Sequence, residues 1–179
     1  IEVYSDGINS KNADEFVSGC DYVMDKIEFY NLPARYALHR AFRKSSKCQF
    51  MLLTPVFGHR AFVFKWTKDG MPVEEVFDLP ENTEWTPTSI RRLMERFIPE
   101  LPAYPNRETL EHWFINQKRC PIFGGCPPLA QGMLVERLGL AITGLDNLPG
   151  AVEIPAQPGY AMFDAMTWEA KIHKGKWWN

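Results

Sequence analysis

The sequence predicts an α+β fold in which helices pack around a small antiparallel meander of three strands, or four if one further short run joins them. Several segments repeat apolar residues at helical spacing and are separated by proline. Two other segments have patterns that are typical of strands: the first is a run of apolar residues, and the second alternates apolar and other residues. An Asp-Gly pair follows the second segment. Apolar residues make up 45% of the 179 residues, which is enough for an ordinary core.

The first predicted helix begins after Asn12, with Glu15 three residues later as its capping-box partner. A second helix begins at Pro33 and reaches Lys47, since proline suits a first helical turn. The first helix is predicted from an apolar stripe with alternating spacings of four and three: Phe16, Cys20, Val23, Ile27 and Tyr30.

The predicted meander lies between residues 48 and 79. Cys48 to Thr54 is nearly all apolar, which is typical of a strand that is covered on both faces. His59 to Trp66 alternates between large apolar side chains and other residues, as strands do. Asp69-Gly70 is a good two-residue hairpin turn, so Val73 to Leu79 is predicted as the returning strand.

Two capped helices are predicted in the next segment. Thr86 caps a third helix that ends at Pro99, and Asn106 caps a fourth that ends no later than Pro121. A proline-rich link separates these two helices.

The last part of the sequence gives weaker patterns. Pro128 to Leu138 is predicted as a fifth helix that Gly139 stops, and Leu140 to Thr143 as a short strand. Tyr160 to His173 favours a helix through its alanine, methionine, glutamate and lysine content. We therefore predict one α+β domain over residues 1–144, with residues 145–179 as a proline- and glycine-rich arm packed on it.

Composition excludes few classes of function. The net charge of −2 is too small to favour one class of partner. Electrostatic preference for a partner would therefore have to come from a local asymmetry of charge. No run of 18 apolar residues occurs, so no membrane is expected as a partner. The four cysteines have no zinc-finger spacing, and undisulfided cysteines are usual in the cytoplasm or another reducing compartment. The oligomeric state is open.

The clearest anomaly in the sequence is a basic stretch from Pro33 to Trp66 that contains no aspartate or glutamate. Acidic segments flank it on both sides, so its charges either pair with these acids or form a cationic surface. The leading hypothesis is a non-enzymatic binding or regulatory module that uses helix 33–47 and strand 59–66 to engage nucleic acid or an acidic protein surface. The predicted anion-binding residues are Arg40, Arg43, Lys44, Lys47 and Arg60, and the predicted stacking residues are Phe62, Phe64 and Trp66.

A second hypothesis is a cysteine-dependent hydrolase or transferase, so whether the protein is an enzyme stays open. Cys126 or Cys120 would be the nucleophile, with His59 or His112 as the base. Backbone N–H groups of the Gly124-Gly125 loop would form the oxyanion hole. The alternative is that both cysteines are packed thiols, or that they form one local disulfide.

A third hypothesis is a protein–protein adaptor that uses the aromatic tail around Trp177 and Trp178. No metal site is expected, because the four histidines are dispersed and no close histidine or cysteine pair occurs. No cofactor is expected either, since the familiar phosphate-binding glycine motifs do not occur in the sequence.

Overall fold

The structure, a computed structural model, describes residues 2–120 and 122–178. Within them the backbone forms six α-helices and six strands. A π-helical turn, His112–Asn116, continues α5, and a 3-10 turn, Leu145–Asn147, follows α6. In chain order the elements are α1 Ala13–Val17, β1 Tyr22–Asp25, α2 Leu32–Lys44, β2 Phe50–Leu53, β3 Val56–Phe57, β4 Arg60–Trp66, α3 Val73–Phe77, α4 Pro87–Phe97, α5 Arg107–Glu111, α6 Cys126–Thr143, β5 Tyr160–Asp164 and β6 Glu169–His173.

The α+β class is confirmed, but the predicted meander is too small. The sheet is mixed and six-stranded, in the order β1-β2-β4-β5-β6, with the short β3 beside β4. β1 and β2 run parallel, with Val23 opposite Met51, and α2 connects them as a crossover helix. All other pairs between these six strands are antiparallel. Because β1 and β2 run parallel, their carboxyl ends lie side by side at the same end of the sheet.

The helix predicted from Asn12 to Tyr30 is wrong in its second half. Helix α1 ends at Val17, and Gly19 then adopts a φ of +82°, which takes the chain out of the helix. β1 follows, with Val23 and Asp25 buried on one face. The apolar residues from Phe16 to Tyr30 have the spacings of a helix. Residues 22–25 nevertheless form a strand, because they pair with β2. The Asn12 side chain does not cap α1.

Two further segments change type. Val73 to Phe77 is helix α3 rather than a strand, and it buries Val73, Val76 and Phe77 at spacings of three and one. Tyr160 to His173 forms the antiparallel hairpin of β5 and β6 rather than a helix. In both cases long-range packing overrides local propensity.

The other helices begin within two residues of their predicted starts, although α2 ends at Lys44 rather than Lys47 and α6 begins at Cys126 rather than Pro128. Asn31 accepts a hydrogen bond from Ala34 N at the start of α2, and Asn106 caps α5. Thr86 and Ser89 form a capping box on α4. α6 is longer than predicted: it continues through Gly139 and residues 140–143, and ends where Gly144 takes a φ of +71°.

Both faces of the sheet are covered over β2, β4 and β5, whereas the edge strand β6 is largely exposed. The main core lies on the face that carries Met51, Leu53, Phe62 and Phe64, together with α2, α3 and α4. A smaller cluster on the other face joins Leu52, Val63 and Ala161 to Leu134 of α6 and to Ile154. None of the helices in the described part of the chain has both the length and the apolar composition needed to cross a membrane.

Residues 145–179 contribute directly to the sheet. β5 lies between β4 and β6, and Arg60 pairs with Asp164 across the β4–β5 ladder. The division of the chain at residue 144 therefore stays a prediction, with part of the predicted arm built into the sheet.

Candidate functional site

The basic helix α2 is compensated by acids from neighbouring segments. Arg40 donates to Glu74 at 2.8 Å and to Glu81 at 2.7 Å. Two lysines pair with acids that precede α2 in sequence: Lys44 with Asp14 at 3.5 Å, and Lys47 with Asp21 at 3.2 Å. These pairs are largely exposed and each contributes little to stability.

The two remaining predicted anion-binding residues also have oxygen partners. Arg43 donates to the carbonyl oxygen of Gly70 at 2.8 Å. Arg60 donates from Nε to Asp164 at 2.6 Å and from Nη1 to the carbonyl oxygen of Leu101 at 2.8 Å. All five residues predicted to bind an anion therefore already face oxygen atoms of this chain, and the acid-free stretch is not an uncompensated cationic surface.

The predicted stacking platform lies inside the molecule. Phe62, Phe64 and Trp66 are 0%, 1% and 3% exposed. Phe62 and Phe64 belong to the same face of β4, and the ring of Trp66 contacts His39 edge-on, with the centroids 4.7 Å apart. These rings serve the core, and a base has no access to them in this structure.

The two candidate nucleophiles lie in surroundings that favour the neutral thiol. Burial, with a smaller contribution from the charge of Glu28, raises the pKa of Cys120 to about 12. Burial and the charge of Asp164 also raise the pKa of Cys126. An activated cysteine needs the opposite environment. All four cysteines are free thiols.

The two candidate bases make contacts of their own. His59 stacks on Phe123 with the ring centroids 4.2 Å apart, at the loop that leads into Cys126. The Nδ1 atom of His112 lies 3.1 Å from Nδ2 of Asn116 on the π-helical turn. The structure thus brings His59 and Cys126 to the same corner, but the imidazole ring is packed flat against Phe123.

The aromatic tail folds back onto the core. Trp177 stacks on Phe64 at a centroid distance of 5.7 Å and donates from Nε1 to the carbonyl oxygen of Glu95 at 3.2 Å. Trp178 receives the guanidinium group of Arg96 over its ring at 4.7 Å. The two rings that the adaptor hypothesis assigns to partner binding therefore take part in packing within the chain.

A different site forms where β1 and β2 end side by side. Asp25 closes β1, and Arg35 and His39 reach it from α2, which is the crossover helix of this β–α–β unit. All three side chains are almost completely buried. Arg35 Nε donates to Asp25 Oδ2 at 2.8 Å, and His39 Nε2 lies 3.1 Å from the same oxygen.

The protonation states of this buried triad follow from its contacts. Burial alone would raise the pKa of Asp25, but the Arg35 guanidinium and the hydrogen bond from His39 hold that pKa far below its usual value. Burial lowers the pKa of His39, although the Asp25 charge opposes this effect. The triad therefore holds an ionised aspartate, a charged arginine and a neutral histidine whose Nε2–H donates to the carboxylate.

Arg35 keeps one donor group unused. Its Nη2 donates to the carbonyl oxygen of Ile27. Its Nη1 atom is buried and has no hydrogen-bond partner among the described residues. A charged buried donor without a partner is costly, so such atoms are rare in folded proteins and often mark a place for a ligand or a water molecule.

Arg35 lines a crevice of about 350 Å³ at the carboxyl ends of β1 and β2. Lys26 and Thr54 also line it, and their side chains are hydrogen-bonded to each other. Partial burial lowers the pKa of Lys26, although the charge of Asp25 opposes it. Glu28, Cys120 and Gln131 complete the polar part of the wall. We call this site the β1–β2 crevice.

Sequence reasoning missed the β1–β2 crevice because it assigned residues 22–25 to a helix. Had Tyr22 to Asp25 been read as a strand, the order strand–helix–strand would have predicted a parallel pair. Ligands of open sheets bind outside the carboxyl ends of parallel strands, so Asp25, Lys26 and Thr54 would then have been candidates.

Comparison with known proteins gives a fold relative but no family. No protein-family model matches the sequence, and no curated protein matches it either. Among solved structures, the crystal structure of SeMet PaaA is similar, with a TM-score of 0.50 and 12% sequence identity. The similarity covers 93% of this chain and 46% of the PaaA chain, so this chain spans less than half the length of PaaA. At this identity the likeness concerns the fold alone.

Proposed function

We propose that this protein is a binding module for a small anionic ligand, whose phosphate or carboxylate group is held in the β1–β2 crevice. The observation that carries the proposal is the buried Nη1 of Arg35, which has no partner among the described residues and belongs to a side chain that lines the crevice. Guanidinium groups bind phosphate and carboxylate oxygens through such N–H donors.

The other groups of the crevice support an anion rather than a cation. The Lys26 ammonium group and the Thr54 hydroxyl group both line it and supply donors. The Asp25 carboxylate is already engaged by Arg35 and His39. Glu28 is exposed, and its carboxylate repels ligands whose negative charge extends outside the crevice.

This proposal keeps the class of function that the basic stretch predicts, an anion-binding module, but changes the site and the size of the partner. A volume of about 350 Å³ suits a small molecule and not a nucleic-acid backbone. The hydrolase and adaptor hypotheses have less support, because both candidate thiols have raised pKa values and the tail tryptophans are packed.

Calorimetric titration with ATP, pyrophosphate and citrate at low and high salt tests the proposal. We expect at least one of them to bind, with an affinity that falls as salt rises. Lys26→Met should weaken that binding about tenfold or more, because one charge-assisted hydrogen bond is lost. Lys44→Met, on the exposed face of α2, is the matched control and should leave the affinity unchanged.

Two outcomes would overturn the proposal. The first is that none of the three anions gives a binding isotherm at low salt. The second is that Lys44→Met weakens binding as much as Lys26→Met, because affinity would then come from the general charge of α2. Thr54→Val gives a second variant that keeps shape and charge, so a folding defect in one variant does not decide the result.

A further inference from the structure

A second pocket lies between α4, α5 and the tail of the chain. Its volume is about 400 Å³, and four arginine side chains line it: Arg91, Arg92 and Arg96 from α4, and Arg107 from α5. Trp178 from the tail forms another part of the wall. None of these five residues lines the β1–β2 crevice. We call this site the α4 arginine pocket.

Two of the four arginines share one carboxylate. Arg107 Nε donates to Glu111 Oε1 at 2.9 Å, and Arg91 Nε donates to Glu111 Oε2 at 3.4 Å. Both contacts use Nε, and in the described part of the chain the terminal Nη1 and Nη2 groups of these two side chains have no hydrogen-bond partner. Each guanidinium group can therefore still donate to another oxygen.

The other two arginines are satisfied less well. Nη1 of Arg92 and Nη2 of Arg96 lie 3.4 Å and 3.6 Å from the same oxygen, Oδ2 of Asp78. Charge-assisted hydrogen bonds are shorter, about 2.7–2.9 Å. Neither guanidinium group makes a hydrogen bond to any of the described residues. Both arginines thus have a counter-ion near them but no acceptor at bonding distance.

Burial makes this lack of acceptors costly at Arg96. The residue is only 9% exposed, and its burial lowers the pKa of the guanidinium group, although the charge of Asp78 opposes this effect. A charged group that is buried without hydrogen bonds is unfavourable, so such groups are rare. The guanidinium group lies over the ring of Trp178, which holds it in place. Arg96 therefore presents preorganised donors to the pocket.

The charge and the composition of the wall define the kind of ligand. The four arginines face three carboxylates, since Glu95 and Glu111 line the pocket and Asp78 pairs with two of the arginines. The excess is positive, and it favours an anion. The rest of the wall is largely apolar and includes Met94, Ile98, Pro99 and Leu101. Such a wall suits a ligand that joins a compact oxyanion to a small apolar group.

We propose that the α4 arginine pocket binds a small phosphate monoester, with the phosphate group on the arginines and the apolar group against the Ile98–Leu101 wall. The planar guanidinium fork matches the oxygens of phosphate. A phosphate monoester carries a charge of about −1.5 to −2 at pH 7 and has three terminal acceptor oxygens, whereas a carboxylate has one charge and two oxygens. This binding activity is separate from that of the β1–β2 crevice and does not depend on it.

An NMR titration with phenyl phosphate at low salt and near neutral pH tests the proposal. The signals to follow are the Nε–H groups of the arginines and the indole N–H of Trp178, each assigned by its loss in the corresponding single variant. We expect the signals of Arg92, Arg96 and Trp178 to shift saturably with one dissociation constant. The signal of Arg119, which is exposed and outside the pocket, should stay in place. Phenyl sulfate has a similar shape but a single negative charge, and it should bind at least about tenfold more weakly.

Two variants and two controls locate the binding. Arg96→Lys keeps the positive charge but loses the planar fork, so the dissociation constant should rise at least about tenfold. Arg92→Met changes a half-exposed side chain and should weaken binding to a similar extent, so a folding defect in Arg96→Lys does not decide the result. Lys44→Met on α2 controls for general charge, and Lys26→Met controls for the β1–β2 crevice. Both should leave the dissociation constant of the α4 arginine pocket unchanged.

Three results would overturn the proposal. The first is that phenyl phosphate causes no saturable shift at Arg92 and Arg96. The second is that phenyl sulfate binds as tightly as phenyl phosphate, because the pocket would then hold any anion. The third is that Lys44→Met or Lys26→Met weakens the binding as much as Arg92→Met. Since the readout is specific to this pocket, its failure leaves the proposal for the β1–β2 crevice standing, and the converse also holds.

Discussion

Asp25 and Arg35 form a fully buried ion pair, with 2.8 Å between Oδ2 and Nε, that ties the end of β1 to the first turns of α2. The pair fixes the geometry of the one parallel connection in the sheet. Arg35 also lines the β1–β2 crevice, so the same side chain serves both the fold and the proposed binding site.

Removing the charge of Asp25 should destabilise the protein strongly. Asp25→Asn leaves the Arg35 guanidinium buried without its counter-ion, and we expect a loss of about 3–5 kcal/mol in the free energy of unfolding, measured with urea. Asp21→Asn removes an exposed partner of Lys47 and should change the free energy by less than about 1 kcal/mol. Equal losses in the two variants would contradict the assignment of Asp25 as a buried, ionised residue.

Stability should fall as the solution becomes acidic, beginning near pH 6.5. The pKa of His39 is lower in the folded state than in the unfolded state, so the unfolded chain takes up a proton first. The stabilisation is complete above the unfolded pKa of about 6.5 and decreases as pH drops below it. Asp25 adds a second loss below about pH 4, since its folded pKa is also depressed.

The variant His39→Gln separates these two steps. Glutamine cannot titrate and retains an N–H donor for Asp25. Thermal melts between pH 3 and 7.5 should therefore lose most of their pH dependence near pH 6, while the decline below pH 4 remains. A variant with an unchanged profile would show that His39 is not the group responsible for the change near pH 6.

The cysteines should be poor nucleophiles at neutral pH. With a pKa of about 12, Cys120 is almost entirely protonated at pH 7, and labelling with a thiol-specific chromophore should be slower than for glutathione. Cys126 is buried and should behave in the same way. If Cys120 or Cys126 is labelled faster than glutathione, the result would support the hydrolase hypothesis.

The tail tryptophan should contribute to stability rather than to partner capture. Trp177→Ala removes the stacking on Phe64 and the hydrogen bond to Glu95, and we expect a loss of about 2 kcal/mol in urea unfolding. Trp168→Ala is the control, because that ring is 83% exposed and its removal should cost less than about 0.5 kcal/mol. If both variants are equally stable, the tail does not pack as described.

Local signals in the sequence were sufficient for most helices and for β2 and β4. The proline and threonine at the start of α4 and the asparagine before α5 are caps whose effect depends on neighbouring residues only. The alternation of β4 likewise reflects its own two faces. Such features depend on short-range geometry, and a single sequence is enough to predict them.

The elements that were predicted wrongly depend on distant partners. β1 is four residues long, and its pairing with β2 rather than its own pattern holds it extended. β5 and β6 have a helical composition but pair with each other and with β4. The β1–β2 crevice required the parallel pair to be known, so the proposed site could not be derived before the sheet.

The central strand β4 lies between β2 and β5, and β5 comes much later in the sequence. Arg60 and Asp164, which face each other across β4 and β5, are 104 residues apart in sequence. During synthesis one edge of this apolar strand therefore stays unpaired until Tyr160 to Asp164 have left the ribosome. An open edge of that kind attracts other strands, so this protein is a good candidate for chaperone assistance early in its life.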